Sequence, residues 1–193
     1  IIADPLEYIK RGKIILRKYS RKASIGFCGQ TDFRFIISFI KFINLFWKKF
    51  LFFMNLSYRY SGPIIPPTFL RKQVLDIIEK SDLLFPLFVR RGKYQGGISN
   101  KHSSFNRIKE EFYKNINDTD YTICIRGSGN FSARLYETLA MGRNPVFINT
   151  DCKLPFSDLI DWKKHVVWVE QKEISDIVTK ILEFHLSLSE EKF

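Results

Sequence analysis

From residue 22 onward, short apolar runs alternate with longer segments in which apolar residues recur every three or four positions, the pattern of strands alternating with helices. Ala23 to Gly29 is a strand-like run ending in glycine, and Leu83 to Val89, Tyr121 to Ile125, Pro145 to Ile148 and Val166 to Val169 are four more. Between them, residues 68 to 80 place Leu70, Val74, Leu75, Ile77 and Ile78 at helical spacing with charges opposite. Ser103 and Ser104 are expected to cap a helix through Ile116 with Phe105, Ile108, Phe112 and Ile116 on its apolar face. Ala133 to Met141 predicts a helix stopped by Gly142, and Glu173 to Leu186 a closing amphipathic helix. This order predicts an α/β fold: a Rossmann-like, mostly parallel sheet with flanking helices and right-handed crossovers.

One segment stands outside that alternation. Phe35 to Leu56 is the most apolar stretch and is near the length of a membrane span, but three lysines interrupt it. Ser38, Lys41, Asn44, Lys48 and Asn55 fall on one side of a helix, with Phe, Ile, Leu and Trp47 covering the rest. Two roles fit: a helix lying in a lipid headgroup boundary, or one half buried against a partner domain. Ser61-Gly62-Pro63 and Pro66-Pro67 then break the helix. The expected layout is a basic lead-in over 1–21, remnant of a preceding domain or linker, and one domain over 22–193 with 35–67 as an amphipathic insertion.

At 193 residues, with 45% apolar and 16% aromatic residues, the chain can bury a core, and disorder is excluded. Thirty-one Lys and Arg against 20 Asp and Glu give a net charge of +11, which favours an anionic partner such as phosphate, acidic lipid or nucleic acid. Cys28, Cys124 and Cys152 are odd in number and lack metal spacing, so they are expected as reduced thiols, two of them in buried strands. Three histidines supply no zinc ligand set. The start shows no leader pattern, and the chain is expected to be a fragment of something longer.

Candidate chemistry gathers after the Tyr121 run. Arg126-Gly127-Ser128-Gly129-Asn130, followed by Phe131 and Ser132, lies between a strand end and a helix start, where free N–H groups and the helix dipole favour an anion. Gly127 and Gly129 would permit positive φ or close approach of the backbone to a ligand. One turn into the helix, Arg134 could reach a diphosphate, and Glu137 on the same face could accept hydroxyl hydrogen bonds from a ribose. A plain strand-to-helix turn and an i, i+3 surface ion pair would use the same residues.

The stretch YTICIRGSGNFSARLYETLAMGRNPVFINTDCKLPFSDLIDW resembles the C-terminal signature of the exostosin family, glycosyltransferase family 47. There an RG turn precedes S-x-RL-x-E-x-L-x-x-G-x-x-PV and then LPF-x-x-x-IDW. The likeness covers about residues 121 to 169; Phe27 to Gly29 and the basic stretch Arg90 to Gly97 are similar to the earlier part of the same half, and 35–67 has no counterpart. The resemblance implies the donor half of a two-domain GT-B enzyme that transfers a sugar with inversion from a nucleotide sugar, UDP- or GDP-linked, to a glycan or other hydroxyl acceptor. It implies an N-terminal acceptor half, Arg126 and Arg134 at the diphosphate, Glu137 at the ribose, and backbone groups from Gly127 to Ser132 at the leaving nucleotide.

An inverting transfer needs a general base, and none is nominated: Asp151 and Asp161 occupy family-like positions, with Asp161 beside Trp162 read as structural. No Asp-x-Asp motif stands at a strand end, so cationic side chains and amides are expected in place of a metal, while a divalent ion stays open. The rival function is a noncatalytic phosphate-binding module for nucleic acid or anionic membrane, with Arg, Lys and aromatics interleaved over residues 8 to 60 and 88 to 113. No nucleic-acid-binding motif supports it. The expected location is cytoplasmic, peripheral to a membrane, or the Golgi lumen if the source is eukaryotic.

Overall fold

The computed structural model describes residues 17–31, 35–58, 65–92, 102–127 and 131–188. Five strands form one sheet: β1 (Ser24–Gln30), β2 (Phe85–Arg91), β3 (Tyr121–Cys124), β4 (Asn144–Asn149) and β5 (Val167–Glu170). Their order in space is β2-β1-β3-β4-β5, and every neighbouring pair is parallel. Five α-helices accompany them among the described residues: α1 (Phe35–Phe53), α2 (Pro67–Glu79), α3 (His102–Asn117), α4 (Ala133–Ala140) and α5 (Ile177–Ser187). This is the Rossmann-like α/β arrangement that the alternation predicts.

A parallel sheet must be covered on both faces. Ile25, Phe27, Ile123, Val146, Ile148, Val167 and Val169 bury one face against Leu70, Val74, Leu75 and Ile78 of α2 and Ile177 and Ile181 of α5. On the other face Cys124 and Phe147 pack with Leu135 of α4. The connection after α3 crosses so close to β1 that a Cβ on Gly26 would stand 2.4 Å from the Thr119 hydroxyl, so only glycine fits there.

Element ends follow local chemistry. Pro66 and Pro67 open α2, where a missing N–H costs no helical bond. Gly142, at φ 63°, closes α4: its N–H donates to the Leu139 carbonyl and that of Arg143 to the Thr138 carbonyl, the paired bonds of a Schellman stop. At the amino edge of the sheet, Asp120 fastens β1 to β3. Its carboxylate accepts from the Ser24 N–H at 2.8 Å, the Ser24 hydroxyl at 2.7 Å and Arg17 Nε at 2.9 Å.

Several elements differ from the sequence pattern. β2 runs on to Arg91, so Arg90 and Arg91 belong to a strand rather than a loop, paired in register with Gly29 and Gln30. The segment before α5 is a 3-10 helix over Gln171–Asp176, and a short 3-10 turn over Trp162–Lys164 precedes β5. Cys28 and Cys124 are buried and Cys152 partly so, all three as free thiols. In α1 the described apolar side chains lie largely at the surface, with Leu45 and Leu51 half-buried.

Candidate functional site

The order of the sheet reverses between β1 and β3, the place where open α/β sheets leave a crevice beyond their carboxyl ends. Here the two strands separate early. They pair only at Ile25 with Tyr121 and Gly26 with Thr122, although β1 continues to Gln30 alongside β2. Past that point, carbonyls of both strands accept hydrogen bonds from arginines.

Arg134, from the first turn of α4, is the central one. One Nη donates to the Cys28 carbonyl at 2.6 Å and the other to the Ile123 carbonyl at 3.4 Å, so the guanidinium bridges β1 and β3. It also lies over the Phe27 ring, 4.5 Å from the centroid, and 5.3 Å from that of Phe112. A Cβ on Gly29 would come within 3.0 Å of its Nη2 and 3.2 Å of Phe27 Cζ. The Phe27-Cys28-Gly29 run therefore builds the seat: an aromatic face, a carbonyl acceptor and a gap.

Arg71 of α2 adds a second bridge, donating to the Gln30 carbonyl at 3.2 Å and to the Arg126 carbonyl at 2.8 Å. The Arg126 side chain is buried and donates to the Ile65 carbonyl. Burial pushes Arg126 and Arg134 below the usual arginine range, and arginine stays charged in proteins nonetheless. The buried Nε of Arg134 has no hydrogen-bond partner among the described residues. Nearby, Arg91 pairs with Glu111, and burial raises the Cys28 thiol above its ordinary value.

Glu137 stands one turn further along α4 and is 8% exposed. Burial lifts its carboxyl above the ordinary carboxylate range, and the Arg134 charge partly opposes that shift through space. The two do not close a salt bridge: Arg134 is occupied by strand carbonyls instead. Ser132, the residue before α4, is buried, and its hydroxyl makes no capping bond. The Gly127 N–H donates to the Phe131 carbonyl at 3.2 Å, closing the turn, so this amide is already used. Gly127 does not take positive φ, and a Cβ there would meet no atom within 4 Å. Ser128, Gly129 and Asn130, also expected at the site, lie outside the described residues, as do residues 93–97 of the basic stretch.

Arg126, Ser132, Arg134 and Glu137 thus all follow the carboxyl end of β3, on the connection to α4 and in its first turns. Arg71 joins them without having been named from the sequence, and so do the rings of Phe27 and Phe112, which the sequence placed in the family likeness and on an apolar helix face but not at the site. Arg71 is one of four charged residues on α2, with Lys72, Asp76 and Glu79, so no sequence signal set it apart; an aromatic two residues before Gly29 was the signal for the seat. Glu170 ends β5 and accepts from Asn149 Nδ2 at 2.8 Å and Trp168 Nε1 at 2.7 Å. Asp151, at φ 59°, and Asp161, paired with Lys164 at 3.3 Å, are exposed in the β4–β5 connection. Among the described residues no three His, Cys, Asp or Glu converge to hold a metal. The arrangement suits an anion with attached hydroxyls: cationic groups outnumber acids at the crevice, and a buried carboxylate gains by accepting hydrogen bonds.

Comparison with known proteins gives the same region a family. The chain is 38% identical over 71 residues to a moss protein of Physcomitrium patens named "Probable glucuronosyltransferase 47 A", covering 37% of this chain and 16% of the relative. It is 32% identical over 68 residues to "Probable beta-1,4-xylosyltransferase IRX10" of Arabidopsis thaliana, covering 35% and 16%. Another Arabidopsis protein, named as a probable glycosyltransferase, is 34% identical over 118 residues, 53% of this chain and 24% of its own length. The matched part of the chain thus corresponds to less than a quarter of each relative. A family profile described as the Exostosin GT47 domain matches residues 79–184, more than half of the chain and all the strands from β2 to β5. The chain therefore belongs to the exostosin GT47 family.

Proposed function

We propose that this chain is the donor-binding domain of an inverting glycosyltransferase, taking a UDP- or GDP-sugar and passing the sugar to a hydroxyl of a glycan. The observation that supports the proposal is that Arg134, one helical turn before Glu137, bridges carbonyls of β1 and β3 where the two strands part, with Arg71 holding the Arg126 carbonyl. The diphosphate would lie across the guanidiniums at the crevice mouth. Glu137 would accept two hydrogen bonds from the ribose, an exchange that offsets the cost of burying its charge. As the bond to the anomeric carbon breaks, charge develops on the leaving diphosphate, and fixed cations in a half-buried site stabilise that charge more than the ground state. An acceptor-binding half of the same GT-B enzyme would supply the acceptor and the general base. The family membership and the names of the relatives support transfer of a sugar over phosphate binding alone.

Calorimetric titration of the 193-residue chain with UDP and GDP tests the reading. Saturable binding is expected, weakened at least about tenfold by Glu137→Gln and by Arg134→Met, each loss corresponding to about 1.4 kcal/mol. Binding that is absent for both nucleotides, or unaffected by either substitution, overturns it.

A further inference from the structure

Helix α1 has an apolar surface that the α/β fold does not bury. Phe46, Trp47, Phe50 and Phe53 are 54%, 58%, 44% and 84% exposed, and Ile43 and Met54 beside them are about as open. With 3.6 residues per turn these side chains fall on one half of the helix circumference, while Asn44 and Lys48 fall on the other half and Lys49 at the border. The Trp47 and Phe50 rings stack on each other at 5.6 Å, adding a flat aromatic element to the exposed half. The helix has 19 residues, and no helix among the described residues is long and apolar enough to cross a membrane.

Charge narrows the choice of occupant. Between Asp32 and Asp76 the sequence holds no Asp or Glu, while Lys41, Lys48 and Lys49 lie in the helix and Arg34 and Arg59 flank it. A surface made for another folded protein would find basic residues without acids of its own a poor match for any but an acidic partner. A bilayer with acidic headgroups satisfies both halves of α1 at once: apolar side chains enter the acyl boundary, Trp sits at headgroup level, and lysines remain beside phosphate. We propose that α1 is an interfacial helix that docks this chain, parallel to the plane, on a membrane surface rich in anionic lipid. In chain order the helix comes next after β1, the strand whose Cys28 carbonyl holds Arg134.

Co-sedimentation of the 193-residue chain with lipid vesicles tests the proposal. Binding is expected to vesicles of phosphatidylcholine with phosphatidylserine and to fall strongly with pure phosphatidylcholine or at high salt. Lys48→Gln with Lys49→Gln should weaken binding about 25-fold, from about fivefold for each lysine near an acidic surface. Phe46→Asp with Phe50→Asp should abolish it, and since both positions are exposed, the thermal melt of this variant should match that of the parent. Equal binding to neutral and acidic vesicles, no binding to either, or binding untouched by both pairs of substitutions overturns the proposal. So does a dimer in analytical ultracentrifugation that dissociates in Phe46→Asp with Phe50→Asp while vesicles capture nothing, since α1 would then face a second copy of the chain.

Discussion

Replacing Arg134 by methionine separates what holds the crevice together from what fills it. The methionine stem keeps the apolar contact with Phe27 and Phe112 but removes both donors that bridge β1 and β3. The bond to the Cys28 carbonyl, at 2.6 Å, has a charged donor and contributes about 1.5–3 kcal/mol. At 3.4 Å the bond to Ile123 adds little, and the position over Phe27 adds about 0.5–1 kcal/mol. Relief of the unpartnered, buried Nε returns about 1 kcal/mol. The net loss is therefore about 1–3 kcal/mol, or a fall in Tm of about 3–10 °C for a domain of this size. Thermal and urea melts followed by circular dichroism, without added nucleotide, measure it. If Arg134→Met proves as stable as the parent or more so, the strand carbonyls do not depend on the guanidinium, and its bridging role is wrong.

The neighbouring residues give further expectations. Gly29→Ala should cost about 1–3 kcal/mol by crowding Arg134 Nη2 and Phe27, and a double-mutant cycle with Arg134→Met should show the two losses to be less than additive. Burial raises the folded-state carboxyl of Glu137, so the protein binds its proton more tightly than the unfolded chain does; the stability this gives is complete below the unfolded carboxylate range and is lost as pH rises through the folded value. Glu137→Gln should consequently gain stability relative to the parent between acidic and neutral pH, seen in parallel urea melts; a parent-to-variant difference that stays flat with pH would contradict the buried charge. Gly142→Ala places a Cβ at φ 63° and should lower stability by about 1–2 kcal/mol through the end of α4, measured by the same melts.

Much of the fold was legible because each strand is a short apolar run and each covering helix has its own stripe. Leu70, Val74, Leu75 and Ile78 fill the face that their spacing assigns to the core. The error at β2 has a physical cause: Arg90 and Arg91 read as loop residues, yet ion pairs with Asp76 and Glu79 on one side and with Glu111 on the other let charged residues close an edge strand. The candidate site could be named from its side chains, but its contacts could not be read from the sequence. Arg134 and Glu137 stood out as a pair on one helical face, but the partners of Arg134 are main-chain carbonyls, which any residue possesses and no motif announces. Arg71 escaped notice for the same reason, since its acceptors are also main-chain atoms. Gly127 was expected to take positive φ or to let the backbone approach a ligand; its φ is not positive, and a Cβ there would meet no atom within 4 Å.

The Asp120 fastening at the amino edge gives the central strand pair the mechanics of a clothes-peg. Two lengths of backbone are pinned at one end by the Ser24 and Arg17 bonds and stand apart at the other. Beyond Gly26 the ladder between these strands gives way to guanidiniums, so the spacing of the open end is set by side chains while that of the pinned end is set by backbone and the Asp120 carboxylate.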